Sequence, residues 1–244
     1  SAKSDKRYRL YQGKWEKENT VFRGQWGIDQ DDEGRLYYNH NSAVLLGDQW
    51  PPSILPYLST QFGDKVKNLF GQSLTSNHVY PRLPTPGVNR GYEQGVLDSI
   101  GRLVSVTSAC GISVYGGDQF GHKYKGNAFS CEPAAQLIKR IILEDHQGKV
   151  SGRLPYSENE FLRSGDEKFR PVYTITGPDG ALYVVDMYRG IIQHNTYMTS
   201  YLRKHIESKG LDKIKGMGRI YRIQKKANPA KQVILSDKTG KALT

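Results

Sequence analysis

Residues 172–186, VYTITGPDGALYVVD, decide the fold of this chain. An apolar, β-branched run leads into GPDG, and a second apolar run follows, opening with Leu-Tyr. Asp-Gly supplies the positive φ that a tight hairpin turn needs, and the flanking runs are typical of strands. Residues 27–38, GIDQDDEGRLYY, repeat this order of strand, acidic-glycine turn and Leu-Tyr strand. The two segments predict two antiparallel hairpins of one repeated type.

Further strands are predicted between and after these hairpins. Residues 111–115, 125–131 and 136–143 form a third hairpin-like unit, and 218–223 predict a lone strand. Repeated sheets of about 40–50 residues are typical of propeller blades. We therefore predict an all-β fold, a partial β-propeller of about three blades, within residues 1–224. A closed propeller has roughly four to eight blades, so we expect the remaining blades to come from the same precursor or from another chain.

Two stretches interrupt the predicted blades. Residues 49–95 contain WPP, LP and YPRLPTPG, and this proline density excludes a central strand. They predict a long, ordered, Pro-rich insertion, and loops of this length are usually functional. Residues 195–210 predict a short inserted helix with apolar side chains on one face, Asn195 or Thr196 as N-cap and Gly210 at its end. Residues 225–244 are interpreted as a C-terminal linker or extension.

Composition and charge exclude several classes of protein. The formal charge is +11, with 35 Lys+Arg against 24 Asp+Glu, but the basic residues are scattered and form no arginine-rich arm. Nucleic-acid binding is therefore not expected, whereas an acidic glycan or an acidic electron-transfer partner would suit a basic surface. No CxxCH motif or metal-ligand spacing occurs, so neither haem nor a metal site is predicted. No apolar stretch is long enough to cross a membrane.

Several strings resemble a known family. Residues 109–120 (ACGISVYGGDQF), 126–129 (GNAF) and 177–184 (GPDGALYV) resemble the glucose/sorbosone dehydrogenase family of six-bladed propellers, which includes soluble pyrroloquinoline-quinone (PQQ) sugar dehydrogenases. Within that family the chain most resembles the large bacterial "membrane-bound dehydrogenase" proteins, in which the propeller is joined to c-type cytochrome domains. The strings that carry this second resemblance are 23–27 (RGQWG), 84–92 (PTPGVNRGY) and 185–194 (VDMYRGIIQH).

The resemblance implies a periplasmic or extracellular oxidoreductase that oxidises a sugar with PQQ and calcium and passes electrons to a c-type cytochrome. The quinone enzymes of the family have a lysine in the strand equivalent to 131–134 and two arginines, one residue apart, before the hairpin. Here Arg170 matches the first arginine, Val172 stands at the second, and 131–134 contain no lysine. The chain alone is thus predicted to be inactive. The alternative function is a non-catalytic propeller that binds glycans or protein partners in a periplasmic assembly.

Three arginines and one possible acid–base pair are the candidates for chemistry. Arg170, Arg23 and Arg189 are candidate cofactor ligands, because a guanidinium can clamp a carboxylate in a bidentate manner. A structural ion pair is the alternative for each of them. His194 and Asp186 are candidate catalytic residues, because a histidine near an aspartate can act as a base. Alternatively, Asp186 pairs with Arg189 to stabilise a turn, and His194 lies in a loop.

Asn89, Arg90 and Tyr92 are candidates for substrate binding, because an amide, a guanidinium and a phenol together suit the hydroxyl groups of a sugar. Trp26 and Trp50 could stack on a sugar ring, although core packing is the more frequent role of tryptophan.

The two cysteines lie on neighbouring predicted strands of one blade. In a secreted setting Cys110 and Cys131 are predicted to form a disulfide. Two buried free thiols are the alternative.

Overall fold

The hairpin expected around the GPDG turn is formed by β12 (Pro171–Thr176) and β13 (Leu182–Asp186), which pair antiparallel. Gly180 closes the turn with a φ of 75°, a conformation that glycine adopts at little cost. β3 (Gly27–Gln30) and β4 (Leu36–His40) form the second expected hairpin. Both predicted hairpins are therefore confirmed in this computed structural model, which describes residues 6–19, 24–50, 54–63 and 70–226.

Antiparallel sheets make up most of the described chain. The remaining elements are β1 (Lys6–Tyr11), β2 (Lys14–Asn19), β5 (Ala43–Gly47), α1 (Leu55–Phe62), β6 (Gln72–Ser73), β7 (Cys110–Val114), β8 (Ala128–Glu132), β9 (Leu137–His146), β10 (Lys149–Arg153), β11 (Leu162–Arg163), α2 (Ser200–Lys209) and β14 (Arg219–Ile223). The first sheet has the order β3-β4-β5-β6, the second β10-β9-β8-β7 with β11 beside β9, and the third β12-β13-β14. β1 and β2 form a separate hairpin.

The inner strands of the three sheets, β3, β7 and β12, lie next to one another in chain order. Between the first two, the backbone N–H of Val114 donates to Oδ2 of Asp29 over 2.8 Å. Between the next two, the hydroxyl oxygens of Ser113 and Thr174 lie 2.7 Å apart. Sheets that pack face to face through successive inner strands are the blades of a propeller, so the all-β, partial-propeller prediction is confirmed. Over the described ranges the sheets do not close into a ring.

Gly111 explains how closely the second and third sheets approach. Its φ is 49°, and a Cβ built on it would collide with the carbonyl oxygen of Val172. A Cβ on Gly27 would likewise lie 2.7 Å from the backbone nitrogen of Ile112 in the neighbouring sheet. Glycine at both positions therefore permits backbone contact between adjacent inner strands.

Two apolar clusters fill the spaces between neighbouring sheets, and each fully buried large side chain contributes about 1.5–3 kcal/mol to folding. The cluster between the first and second sheets includes Tyr37, Leu45, Ile112 and Ile141. The cluster between the second and third sheets includes Tyr115, Phe129, Ile138, Leu182 and Val184.

The Pro-rich insertion is more regular than predicted. Residues 55–62 form a helix, so the described chain contains two α-helices and not the one expected. Pro56 lies in the first turn of α1, where the missing backbone N–H costs nothing. β6, near residue 72, completes the first sheet. Within the described residues, no helix is long and apolar enough to span a membrane.

The inserted helix begins later than predicted. Thr199 is its N-cap, accepting a hydrogen bond from the backbone N–H of Leu202, whereas Asn195 and Thr196 belong to a separate 3₁₀ turn. Gly210 ends the helix with a φ of 60°, which confirms the predicted stop.

The predicted disulfide is absent from the structure. Cys110 and Cys131 are register partners across β7 and β8, but both are free thiols rather than the expected disulfide. Burial raises the pKa of Cys110 to about 12 and that of Cys131 well above its usual range. Because the thiolate is the reactive form, burial protects both thiols from oxidation.

Candidate functional site

Arg170 lies at the start of β12, with 4% of its surface exposed. Its guanidinium donates to three carbonyl oxygens: Nη1 to Pro133 (2.7 Å), Nη2 to Gly190 (3.0 Å) and Nε to Arg189 (3.1 Å). The backbone N–H of Arg170 donates to Oδ1 of Asp186 over 2.8 Å. We call these five residues the Arg170 cluster. It joins the end of β8, the start of β12 and the loop after β13.

The Arg170 cluster is buried, and most of its polar atoms have hydrogen-bond partners. Burial lowers the pKa of Arg170 to about 10. Asp186 is fully buried, and its Oδ1 also accepts from the backbone N–H of Tyr188 while Oδ2 accepts from Arg219. Buried polar groups with this many partners hold backbone segments in place. Arg170 and Asp186 therefore have structural roles, but not through the predicted ion pairs. Arg170 bonds to carbonyl oxygens, and Asp186 pairs with Arg219 rather than with Arg189.

Glu132 occupies the region in which the resemblance implies a lysine. It is fully buried and accepts from the backbone N–H groups of Thr107, Ser108 and Ala134 and from the hydroxyl of Ser108. Burial raises its pKa, and those hydrogen bonds partly offset the rise. Val172, at the second arginine position, packs its backbone against Gly111.

These residues do not fit PQQ with calcium. The Arg170 guanidinium is buried against carbonyl oxygens, and Glu132 is a buried carboxyl group in the strand where the resemblance implies a lysine. In the described part of the chain, no group of three or more His, Cys, Asp or Glu side chains is placed to hold a metal ion. Arg23 lies outside the described residues. Arg189 is half-buried, its carbonyl oxygen accepts from Arg170, and its Nε is buried with no hydrogen-bond partner among the described residues.

The two catalytic candidates lie in different environments. Asp186 is in the interior, whereas His194 is exposed, and its Nδ1 accepts from the backbone N–H of Thr196 over 3.2 Å. That contact caps the 3₁₀ turn at 195–197. The geometry therefore provides no carboxylate–histidine pair at this position.

Two segments that are distant in sequence carry exposed polar and aromatic side chains and contact each other. Arg90 and Tyr92 come from the end of the Pro-rich insertion, and His194 and Tyr197 precede α2. We call these four residues the ridge. Tyr92 is 59% exposed and Tyr197 is 70% exposed. Asn89 joins the segments, because its Nδ2 donates to the carbonyl oxygen of Tyr197 over 3.0 Å.

Asn89 also anchors the start of α2. Its Oδ1 accepts from the backbone N–H and the hydroxyl of Thr199, at 3.2 and 3.1 Å, and its carbonyl oxygen accepts from the same hydroxyl at 2.8 Å. The ring of Tyr92 packs edge-on against Tyr201, with centroids 5.8 Å apart. Asn89, predicted to bind substrate, thus holds the ridge together.

A second contact fixes the other end of α2. Nε2 of His205 and Nζ of Lys209 each lie 2.7 Å from the carboxylate of Glu167, which precedes β12. Burial raises the pKa of Glu167, but the hydrogen bonds from Lys209 and His205 outweigh it, and the net pKa is lowered. Leu202 and Ile206 are buried beneath the helix. The ridge therefore adjoins a helix that is fixed at both ends.

Trp26 and Trp50 are both exposed, at 64% and 50%, so the expectation that they pack in the core is wrong. Trp26 precedes β3, and no described contact joins it to the ridge.

At the opposite end of the sheets, a cleft of about 380 Å³ lies between the first and second sheets. Its lining includes Asp31, Glu144 and Asp145. Arg35 bridges Asp31, with Nε 2.9 Å from Oδ2, and Asp145 in the neighbouring sheet. Asp31 and Asp145 therefore join the two sheets through Arg35, whereas Glu144 pairs with Arg153 within the second sheet.

The comparisons with known proteins give a family and one similar structure. A family model described as "Domain of unknown function (DUF7133)" matches residues 1–227. Among solved structures, the chain is similar to the soluble aldose sugar dehydrogenase of Escherichia coli in its apo form, with 15% identity and a TM-score of 0.33. The alignment covers 69% of this chain and 43% of that chain, so this chain spans less than half of that protein. No curated protein matches the chain.

Proposed function

Because the chain belongs to the DUF7133 family of domains of unknown function, its role has to be argued from its own residues, and we propose that it binds carbohydrate on the ridge. The observation that carries this proposal is the exposure of Tyr92 and Tyr197 on two segments that Asn89 joins by a hydrogen bond. Arg90 and His194 are exposed on the same two segments. Glycan binding by a non-catalytic propeller is the alternative function predicted from the sequence. We assign that function to these four side chains.

The chemistry of the ridge suits a sugar. A pyranose ring has an apolar C–H face that packs on aromatic rings, and hydroxyl groups that need polar partners at its edge. Tyr92 and Tyr197 supply the rings, and Arg90 and His194 supply polar groups. Each ring has an aromatic neighbour, Tyr201 beside Tyr92 and His194 beside Tyr197, and exposed aromatic groups of this kind are found at binding sites.

The anchoring of α2 favours binding further. Asn89, Thr199 and Glu167 hold the two ridge segments before any ligand arrives. A site that is already ordered loses less conformational entropy on binding than a mobile loop does.

The charge near the ridge favours an acidic glycan. Arg90 is exposed on the ridge, and Arg203 and Lys204 are exposed on α2. Cations around a binding surface attract carboxylates or sulfates and make the association rate depend on salt.

Binding can be tested by isothermal titration with polygalacturonate as the acidic probe and dextran as the neutral one. We expect polygalacturonate to bind and its affinity to fall as salt rises. Tyr92→Ala and Tyr197→Ala should each weaken binding by about tenfold, since one aromatic contact contributes about 0.5–1.5 kcal/mol beyond area burial. Tyr57→Ala, which removes an exposed tyrosine from α1, is the matched control and should bind normally. Absence of binding to either polymer and to a broad glycan array would refute the proposal.

The second candidate function is part of a periplasmic sugar oxidoreductase that passes electrons to a c-type cytochrome. It is supported by the strings at 109–120 and 177–184, which resemble sugar dehydrogenases. In this case the ridge would hold the sugar, and the quinone ligands would lie outside the described residues. Dye reduction by the full-length protein, loaded with PQQ and calcium and given a panel of aldoses, tests it. Lack of turnover after proven loading of the quinone would leave carbohydrate binding as the function.

A further inference from the structure

His194 holds one turn of the ridge through a contact that only its neutral ring can make. Its Nδ1 accepts from the backbone N–H of Thr196 over 3.2 Å and caps the 3₁₀ turn at 195–197. A ring nitrogen that accepts a hydrogen bond carries no proton, so the proton of the neutral ring is on Nε2. In the charged ring both nitrogens are donors. A proton added to Nδ1 would therefore point at another N–H group, and the contact would be lost.

The turn that His194 caps determines where Tyr197 lies. Tyr197 is the last residue of the turn, and its backbone N–H donates to the carbonyl oxygen of His194 over 3.0 Å. The carbonyl oxygen of Tyr197 in turn accepts from Asn89 over 3.0 Å. The rings of His194 and Tyr197 lie 5.9 Å apart, measured between centroids. Opening of the turn would therefore move Tyr197 relative to the segment that carries Tyr92.

The surroundings of His194 offer its charged form no carboxylate partner. Tyr197 is the titratable side chain that contacts the His194 ring. In the described part of the chain no ion pair includes His194, whereas His205 on α2 lies 2.7 Å from the carboxylate of Glu167. The charged side chains of the adjoining segments are Arg90 and Glu93 on the insertion, Arg189 on the preceding loop, and Arg203, Lys204 and Glu207 on α2. Protonation of His194 would thus remove the cap without forming an ion pair in its place.

We propose that protonation of His194 opens the 3₁₀ turn and makes the ridge sensitive to pH between about pH 5 and about pH 8, where histidine changes its charge. The neutral ring keeps the ridge ordered, and acidification releases Tyr197. The consequence, weaker glycan binding in acid, rests on the proposed function. The turn itself can be observed without any ligand.

Hydrogen exchange of the Thr196 amide, measured by NMR on threonine-labelled full-length protein, tests the turn. Protection relative to an unstructured peptide at the same pH should fall about fivefold between about pH 7.5 and about pH 5, the factor expected for the loss of one cap. His194→Asn supplies a cap that does not titrate, so Thr196 protection in this variant should not depend on pH. Amides of β12 and β13 should keep their protection in both proteins.

His40→Asn is the matched control. Nδ1 of His40 accepts from the backbone N–H of Ser42 over 3.1 Å, which is the same kind of contact, in the turn between β4 and β5 of the first sheet. This variant should keep the pH dependence of Thr196. Three results would overturn the proposal: constant Thr196 protection in the wild type, an equal fall in His194→Asn, or loss of the pH dependence in His40→Asn.

Glycan titration tests the consequence separately. A proton on His194 also adds a positive charge that attracts carboxylates, so polygalacturonate is titrated at about 0.3 M salt, where this attraction is largely screened. The wild-type affinity should fall about fivefold between about pH 7.5 and about pH 5, and the affinity of His194→Asn should stay constant. A pH-dependent turn with a pH-independent wild-type affinity would show that the turn does not position Tyr197 for binding, and would overturn the proposal. Absence of glycan binding at both pH values, with pH-dependent Thr196 protection, would refute the proposed function and confirm the opening of the turn.

Discussion

The Arg170 cluster and the ridge contain the same kinds of side chain but are used in opposite ways. In the cluster, Arg170 and Asp186 are buried and bonded to backbone groups. On the ridge, Arg90 and Tyr92 are exposed. A residue type suited to binding therefore indicates function only where solvent, and hence a ligand, can reach it. The loop whose carbonyl oxygens bond to Arg170 leads into α2. The cluster therefore helps to position the segment that carries His194 and Tyr197.

The largest effect is expected from Arg170→Met. The substitution leaves the carbonyl oxygens of Pro133 and Gly190 buried without their donor, and removing one partner of a buried charged network costs about 3–5 kcal/mol. The free energy of unfolding in urea should fall by that amount at an unchanged slope. Arg90→Met is the matched control and should change stability by less than about 0.5 kcal/mol. Equal losses of unfolding free energy in the two variants would show that Arg170 and Arg90 do not differ in their contribution to the fold.

Asn89→Ala should have the next largest effect. It removes the donor to Tyr197 and the acceptor for Thr199, which costs about 1–2 kcal/mol. Amide hydrogen exchange in residues 195–209 should accelerate, while exchange in β12 and β13 stays unchanged. Unchanged exchange around α2 would show that Asn89 does not hold the ridge segments together.

Removing the Glu167 contact should lower the unfolding free energy by a smaller amount, and that amount should depend on pH. Because its pKa is lowered in the folded state, its contribution is present above the ordinary value of 4.5 and is lost as pH falls through the lower folded value. The contribution is about 0.5–1 kcal/mol, since the partners are partly exposed. The difference in unfolding free energy between wild type and Glu167→Gln should be full at pH 7 and should decrease as the pH is lowered below 4.5. A difference that does not depend on pH would exclude the ion-pair explanation.

The smallest effect on stability is expected from Tyr197→Ala. The ring is mostly exposed, so the unfolding free energy should change by less than about 0.5 kcal/mol while glycan affinity falls by about tenfold. Calorimetric melting measured alongside glycan titration separates the two quantities. A large loss of stability would make Tyr197 a packing residue and would remove it from the proposed binding surface.

Local features of the chain were predictable because short-range physics determines them. The turn at Gly180, the stop at Gly210 and the strands around them follow from φ preferences and from the alternation of apolar residues. The helix at 55–62 was missed because proline density nearby suggested an irregular loop, although Pro56 lies in the first turn, where it is tolerated.

The candidate site was only partly predictable. Asn89, Arg90, Tyr92 and His194 were selected from the sequence for their chemistry, but no local signal indicated that their two segments, about a hundred positions apart, contact each other. Tyr197 and the capping residue Thr199 were not selected at all. Their roles depend on hydrogen bonds to Asn89 that form only when the insertion packs against α2.

By itself, the sequence determined the all-β class, the repeated hairpins and the polar residue types available for binding, because strand and turn preferences act over a few neighbouring residues. That Arg170 is buried and that the ridge residues are exposed became visible only in the folded chain. Burial and exposure depend on which distant segments pack together, and packing is a property of the whole chain.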